Sequence, residues 1–157
     1  MELRYNGITM PILILGHTPS EQVERLICFN ITQAVTCEAK AVEYSREAVK
    51  YGGTLKIHIK VDTGMSRLGY ICEGDYFEHG VDGICYACGL HGLDAEGIFT
   101  HFAVADEPDE TSKEYTMHQF KLFTDVINAV EKKRACKFSI RHCSNTGATV
   151  DYPLTHL

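Results

Sequence analysis

Polar and charged side chains gather at the end of one short apolar stretch of the sequence. In IHIKVDTGMSRLGY (57–70), apolar residues alternate with polar ones as far as Asp62, the polar set includes Lys60 and Asp62, and Arg67 follows five residues later. If these charges are buried, each needs a partner, because burying an unpaired charge is very costly. The guanidinium of Arg67 offers several donors in a fixed plane, which suits an anionic oxygen. This segment is therefore the first candidate for ligand chemistry.

Two further stretches place polar side chains after apolar runs. His101 follows AEGIFT, with Asp106 soon after, and SNTGATV (144–150) follows KFSIRHC. The small residues of SNTGATV leave backbone N–H groups accessible, and Ser144 and Thr146 add hydroxyl groups. The start of a helix with this composition suits a phosphate. The same residues also make an ordinary helix cap.

Strands and helices must bring these side chains together. Short β-rich runs predict five strands, at 11–15, 31–35, 54–62, 95–103 and 137–144. Longer runs predict four helices, one that begins at Pro19 or Ser20 and three that span roughly 37–51, 75–89 and 111–134. The last of these begins with TSKE, a capping box with Thr111 as the cap and Glu114 three residues on.

The alternation of strands and helices indicates a parallel sheet, because parallel strands need crossover connections. A doubly wound sheet and a (β/α)8 barrel both fit this α/β pattern. GHTPSE after the first strand is not the glycine fingerprint of a nucleotide-binding doubly wound fold, so that support is missing. In both folds, ligands bind at the C-terminal ends of the strands, where the three polar groups would meet. The residues alone predict a phosphate-bearing ligand over that face.

Composition narrows the class of protein further. A chain of 157 residues fits one domain, and a net charge of -6 argues weakly against nucleic acid as a partner. No apolar run approaches membrane-spanning length and the N-terminus lacks a signal-peptide core, so we expect a cytoplasmic protein. The seven scattered cysteines are expected to be free thiols. The single C-x-x-C, Cys85 and Cys88, lacks the second ligand pair of a zinc site, so no metal is expected.

Three motifs resemble a known family. KVDTGMSRLGY, GIFTHFAVADE and RHCSNTGATVDYP resemble segments of the bacterial alanine racemases, in the same order along the chain. These enzymes use pyridoxal 5'-phosphate (PLP) to interconvert L-alanine and D-alanine for peptidoglycan precursors. The resemblance extends from Pro11 to Pro153, and it implies a PLP-dependent isomerase with alanine as its substrate.

The resemblance implies a role for three residues of the first two motifs. Arg67 matches the arginine that hydrogen-bonds the phenolic oxygen of the cofactor. Lys60 matches a lysine that is often carbamylated, which would turn a buried cation into an anionic partner for Arg67. His101 matches a histidine beside the cofactor ring.

Three other positions are implied by the same resemblance. Thr146 stands where a small hydroxyl residue, usually serine, binds the phosphate, and Asn145 precedes it as in the family. Leu15 matches a leucine that packs near the cofactor ring.

The resemblance also implies a fold and its limits. The five strands match the third to seventh of eight, so residues 1–157 are expected to form the central part of an N-terminal PLP-binding barrel domain, a partial (β/α)8 TIM barrel. The first two strands, the last strand and the C-terminal β domain have no counterpart. Nothing matches the Schiff-base lysine, the catalytic tyrosine or the arginine at the pyridine nitrogen. The chain alone is expected to be inactive, and the intact enzyme to be a homodimer.

Three alternatives remain open at this point. A serine racemase of the same family would share these motifs, because substrate preference depends partly on residues outside the chain. A single-barrel PLP carrier would share the fold, although KVDTGMSRLG favours the racemases. The chain could also be an inactive truncated product.

Overall fold

Residues 1–157 form a parallel β-sheet with helices packed against it in a computed structural model. In chain order the elements are α1 (Glu2–Tyr5), β1 (Ile12–Ile14), α2 (Val23–Cys28), β2 (Ile31–Val35), α3 (Glu38–Tyr51), β3 (Leu55–Asp62), β4 (Tyr70–Ile71), α4 (Phe77–Cys88), β5 (Leu93–Phe99), α5 (Glu110–Arg134), β6 (Ile140–His142) and α6 (Thr146–Asp151). Short 3₁₀ turns cover Ser20–Gln22, Gly74–Tyr76 and Pro153–Thr155. No helix combines the length and the apolar composition that a membrane crossing requires.

The order of the strands identifies the fold. The main path is β1-β2-β3-β5-β6 with every pairing parallel, and β4 pairs with the end of β3. Each strand of this path is added on the same side as the one before. A doubly wound sheet would instead reverse its direction of growth at a switch point. The predicted partial barrel of five parallel strands is therefore confirmed, with β1 and β6 as its edges.

One face of the sheet, called here the outer face, packs against the helices. Ile57, Ile59 and Val61 of β3 point to this face and are completely buried. They join a cluster of 26 buried residues that includes Tyr44 of α3 and Phe123 of α5. Burying such a side chain contributes about 1.5–3 kcal/mol, so this face supplies much of the stability of the fold.

The opposite face, called here the inner face, carries polar side chains. Because side chains alternate along a strand, His58, Lys60 and Asp62 of β3 point away from the helices. The register of β5 changes along β3, since Ile57 pairs with Ala95 whereas His58 pairs with Gly97. The skipped residue, Glu96, forms a β-bulge.

Strands β5 and β6 differ most from their predicted limits, and β1, at Ile12–Ile14, is also shorter than the predicted 11–15. β5 ends at Phe99 rather than at 103, because the hydroxyl of Thr100 donates to the carbonyl of Val61 where a backbone N–H would continue the ladder. His101 consequently lies in a loop. β6 has three residues instead of the predicted 137–144, since the N–H of Phe138 donates to the Glu131 carboxylate rather than to a strand.

The helix starts also differ from the predictions in detail. The capping box at Thr111 is wrong: α5 begins earlier, and the Asp109 carboxylate caps it by accepting from the N–H of Ser112 at 3.1 Å. The 3₁₀ turn over Ser20–Gln22 precedes α2, where the sequence predicts one continuous helix. The short elements α1 and β4 were not predicted.

Candidate functional site

A small cavity lies at the C-terminal ends of β1, β3 and β5. Its volume is about 90 Å³, and its lining is formed by Leu15, Lys60, Met65, Arg67, Leu68, Phe99 and His101. Each element contributes at its C-terminal end or in the loop that follows, as expected for a parallel α/β fold. Four of the side chains singled out from the sequence therefore meet at one place: Leu15, Lys60, Arg67 and His101.

Lys60 is a buried ammonium with few partners. Only 7% of its surface is exposed, and Nζ donates to the carbonyl of Val61 at 2.8 Å. Nζ also lies 5.7 Å from the centre of the Phe99 ring. Burial lowers the pKa of Lys60 to about 8, the Asp62 carboxylate opposes this shift, and the Arg67 cation adds to it. Lys60 is therefore mostly protonated at neutral pH, with a larger neutral fraction than an exposed lysine has.

Arg67 reaches the cavity from a loop whose backbone is tightly held. The Asp62 carboxylate accepts three backbone N–H groups of this loop, from Gly64 at 3.0 Å, Ser66 at 3.0 Å and Arg67 at 3.1 Å. The hydroxyl of Tyr115 donates to the carbonyl of Gly64 at 2.9 Å. The guanidinium of Arg67 is exposed and makes no hydrogen bond to the chain. Its donors are therefore free for a ligand.

His101 stands beside these two cations. It is half-buried, and burial lowers its pKa, with further lowering from Arg67 and Lys60. A neutral imidazole at neutral pH is the consequence. In that form His101 can donate or accept one hydrogen bond without adding a third positive charge to the cavity.

The two remaining predicted residues, Asn145 and Thr146, do not line this cavity. Asn145 caps α6, because its Oδ1 accepts from the N–H of Ala148 at 2.9 Å. Thr146 is the first residue of α6 and is exposed. Gly147 packs closely on the loop after β5, where a Cβ would lie 2.7 Å from the carbonyl oxygen of Ala105. This contact sets the position of the helix start relative to that loop.

A second polar group on the inner face was not recognised from the sequence. His58 Nδ1 and His142 Nε2 lie 2.9 Å apart, so one ring donates to the other. Burial lowers the pKa of both rings, that of His142 to about 4. Glu96 lies 3.7 Å from His58, and the His142 ring stacks on Phe99 with centroids 4.8 Å apart. The pairing depends on strand register, which the separate motifs did not reveal.

The role of Asp62 was also missed. The sequence suggested a charge in need of a partner, and the partners are backbone N–H groups rather than a cation. The signal was present as Asp-Thr-Gly directly after a strand, a composition typical of a turn in which the aspartate bonds to its own following backbone. Ser144, another candidate, bonds instead to Thr155, with their hydroxyls 2.9 Å apart.

All seven cysteines are free thiols. No group of three or more His, Cys, Asp or Glu side chains is arranged to hold a metal ion. Burial raises the pKa of the Cys88 thiol to about 12 and also raises that of Cys85, so neither thiol of the C-x-x-C is prepared for deprotonation. These thiols contribute to packing.

Comparison with known proteins points to one family. The family described as alanine racemase, N-terminal domain, matches residues 1–157. The alanine racemase of Desulforamulus reducens is 41% identical over 99% of this chain and 40% of its own length. That of Clostridium perfringens is 42% identical over 99% of this chain and 38% of its own length. The chain thus spans about 40% of the length of these relatives.

Solved structures give the same result. The alanine racemase of Clostridium difficile 630 superposes with a TM-score of 0.85 and 35% identity, over 99% of this chain and 39% of that one. The alanine racemase of Bacillus anthracis with bound L-Ala-P superposes with a TM-score of 0.74 and 30% identity, over 97% of this chain and 37% of that one.

Proposed function

We propose that this chain, which belongs to the alanine racemase family through its N-terminal domain, supplies part of the cofactor site of a PLP-dependent racemase that interconverts L-alanine and D-alanine. The observation that carries the proposal is the cavity at the strand ends. It brings together Leu15, Lys60, Arg67 and His101, four residues that match the family's motifs and come from three separate stretches of the sequence.

The residues present fit this cofactor. PLP has an aromatic ring, a phenolic oxygen and a phosphate. Arg67 has unused donors for the phenolic oxygen, and Leu15 offers an apolar surface for the ring. Thr146, with its hydroxyl and the first N–H groups of α6, is proposed to contact the phosphate, with Asn145 holding that helix start in shape. When bound, PLP supplies the electron withdrawal that makes the α-proton of an amino acid acidic.

The protein's own groups determine how the cavity treats charge. The guanidinium of Arg67 is a cation with several N–H donors, so it can stabilise a negative oxygen. His101 remains neutral because burial and the two cations lower its pKa. It can therefore hold a hydrogen bond beside the ring without competing with Arg67 for the anion.

Lys60 is proposed to become a carbamate. Its lowered pKa favours the neutral amine, whose nitrogen can bond to the carbon of CO₂ while the amine loses a proton. The product is an anion beside Arg67 in place of a second cation. Growth of the protein in ¹³C-bicarbonate should give a carbamate carbon signal that disappears in Lys60→Met. A high-resolution map of the loaded protein with a free ammonium at Lys60 and no anion near Arg67 would contradict this proposal.

Alanine is the preferred substrate in this proposal. The relatives compared above are named alanine racemases, which supports alanine over serine and a racemase over a single-barrel PLP carrier. We also propose a homodimer and a cytoplasmic location for the enzyme that contains this sequence. Native mass measurement and cell fractionation test these two points.

A chimera tests the activity. Residues 1–157 replace the matching segment of the Clostridium difficile racemase, whose flanking parts would supply the covalent lysine and the catalytic tyrosine that the family resemblance implies. We expect the chimera to bind PLP and to form D-alanine from L-alanine. The matched control is the same chimera with Arg67→Ala. A folded, PLP-loaded chimera that does not racemise alanine would contradict the proposal.

The unjoined chain is expected to behave differently. It should neither retain PLP through dialysis nor racemise alanine above the rate of free PLP, since no residue in it matches the covalent lysine. Stoichiometric PLP retention by the chain alone would show that another of its lysines fills this role.

A further inference from the structure

The loop between β3 and β4 returns on itself within residues 63–69. β4 pairs in parallel with the very end of β3, with Val61 opposite Tyr70 and Asp62 opposite Ile71. The return is close: Gly69 has φ +129, and a Cβ there would lie 2.7 Å from the backbone nitrogen of Asp62. The backbone of this loop is thus confined at both ends, which leaves the residues between them to determine where Arg67 points.

The Asp62 carboxylate organises the middle of the loop. It is 93% buried, with 7% of its residue surface exposed, and its two oxygens take the N–H groups of Gly64, Ser66 and Arg67. Ser66 has φ +57, a left-handed conformation that is unfavourable for a residue with a Cβ. Such a conformation persists only where the surroundings hold it. The hydrogen bonds that the N–H groups of Ser66, Gly64 and Arg67 donate to the Asp62 carboxylate provide that hold.

The side chain of Arg67 has no anchor of its own. Its guanidinium makes no hydrogen bond or ion pair to the chain, although it lines the cavity with Lys60 and His101. The backbone therefore sets the point from which this side chain extends toward the cavity, and the backbone N–H of Arg67 is bonded to Asp62. Release of this carboxylate would let the loop shift and carry Arg67 away from the cavity.

We propose that Asp62 is a positioning residue for Arg67, acting through the loop backbone, so that Arg67 faces the cavity before any ligand binds. The role of Arg67 toward the cofactor rests on the function proposed above. The orientation of Arg67 itself does not, so it is measured separately.

His101 offers a readout of this orientation. Beyond burial, Arg67 is the main charge that lowers its pKa, followed by Lys60. If Arg67 leaves the cavity, the pKa of His101 rises. Loss of the negative charge of Asp62 has the opposite direct effect, because a nearby anion favours the protonated imidazole. A rise in the pKa of His101 on neutralising Asp62 therefore reports displacement of Arg67 and not simple electrostatics.

The first experiment is an NMR titration of the His101 ring in the full chain, without PLP. We compare the wild type with Asp62→Asn, Arg67→Gln and the double variant. Asp62→Asn should raise the pKa of His101 by at least half as much as Arg67→Gln does, and the double variant should match Arg67→Gln alone. An unchanged or lower pKa in Asp62→Asn would overturn the proposal.

Glu73→Gln is the matched control. Glu73 lines the surface next to Arg67, and its carboxylate accepts no N–H of the loop. Its replacement by glutamine removes one negative charge, as Asp62→Asn does. It should not raise the pKa of His101. If Asp62→Asn alone does not fold, Asp62→Asn with Ser66→Gly removes the need for a left-handed serine. That variant should fold and show the same raised pKa, and a wild-type pKa in it would overturn the proposal.

The second experiment uses the racemase chimera. Asp62→Asn should lower its kcat/KM by on the order of tenfold to hundredfold, as expected when a catalytic group is misplaced, whereas Glu73→Gln should not. An inactive wild-type chimera with the expected NMR result would reject the proposed function alone. An active chimera that is insensitive to Asp62→Asn, with an unchanged pKa of His101, would reject the positioning role alone.

Discussion

The two faces of the sheet bury their side chains to nearly the same degree by different means. On the outer face Ile57, Ile59 and Val61 are 0% exposed, and on the inner face of the same strand His58, Lys60 and Asp62 are 5–7% exposed. The apolar side chains are stabilised simply by leaving water. Each polar one must find a partner, which is His142 for His58, a carbonyl for Lys60 and three N–H groups for Asp62.

This difference separates stability from chemistry within one strand. Removing atoms from the outer face leaves a cavity in a packed interior, so its cost is large and independent of pH. Changes on the inner face alter charges and hydrogen bonds, so their effects depend on pH and on ligand. The effects of substitutions on the two faces can be compared through the free energy of unfolding of the chain.

The largest effect is expected on the outer face. Ile59→Ala should lower the free energy of unfolding by about 3–4 kcal/mol, because Ile59 is completely buried in the main core cluster. Urea denaturation measures this loss. Ile140→Ala makes the same chemical change on the inner face, where Ile140 is 43% exposed, and should cost less than about 1 kcal/mol. Equal losses in the two variants would remove the distinction between the faces.

The next effect is acid sensitivity from the inner face. The folded state holds the pKa of His142 at about 4, below the ordinary 6.5. Above pH 6.5 the His142 imidazole is neutral in both the folded and the unfolded state, so its ionisation does not reduce the free energy of unfolding. As the pH falls from 6.5 toward 4, only the unfolded state binds the proton, and the free energy of unfolding decreases. Stability should fall by about 2–3 kcal/mol across this window.

His142→Gln is needed to isolate this contribution, because carboxylates in general titrate in an overlapping pH range. The variant should lose less stability than the wild type between pH 6.5 and 4. His118→Gln, the same substitution at an exposed ring on α5, is the control for the loss of a histidine. Parallel acid limbs for the wild type and His142→Gln would contradict the buried, neutral state of His142.

A smaller effect of opposite sign is expected at Lys60. In CO₂-free buffer, where Lys60 keeps its amine, replacing this buried ammonium by an apolar side chain of similar size should stabilise the chain by about 1–2 kcal/mol at pH 7. The folded state lowers the pKa of Lys60 from 10.5 to about 8, so the penalty is complete below pH 8 and relieved as the pH rises to 10.5. The advantage of Lys60→Met should therefore shrink over that range.

Lys56→Met provides the comparison for Lys60→Met. Lys56 lies on the same strand with its side chain 44% exposed, 3.5 Å from Glu96. Its replacement should change stability by less than about 1 kcal/mol. A destabilised Lys60→Met in differential scanning would show that the ammonium has a favourable partner.

The smallest effect on stability is expected at Arg67. Arg67→Lys should change the free energy of unfolding by less than about 0.5 kcal/mol, because the guanidinium is exposed and makes no hydrogen bond to the chain. The racemase chimera should nevertheless lose turnover, since a lysine cannot reproduce the planar donors of arginine. Equal turnover at saturating PLP and alanine would show that charge alone is sufficient.

The sequence predicts the location of the cavity better than its details. Lys60, Arg67 and His101 were expected to meet because the C-terminal ends of parallel strands lie at one edge, and the structure brings them together there. The strand ITQAV was predicted at its observed limits, 31–35, since it is a short run that begins and ends with β-branched residues. Periodicity and composition carry this information.

Features that depend on the exact backbone path were not predictable. The three N–H bonds of Asp62 require the left-handed conformation of Ser66, which no composition reveals. The choice of Asp109 over Thr111 as the cap of α5 depends on where the preceding loop enters the helix, because several residues of that segment can cap. The His58–His142 pair requires the register of three strands.

The extra residue in β5 makes this strand a place where the chain could change its length during evolution. Loss of Glu96 would let the strand pair with β3 without a bulge, with Leu93, Ala95 and Ile98 on the outer face and Phe99 on the inner face. Gly97 would still pair with His58, where a Cβ at its position would lie 2.5 Å from Nε2 of His58. A lineage that places a larger residue at position 97 must therefore also replace His58 with a smaller one, so these two changes should appear together among racemase sequences.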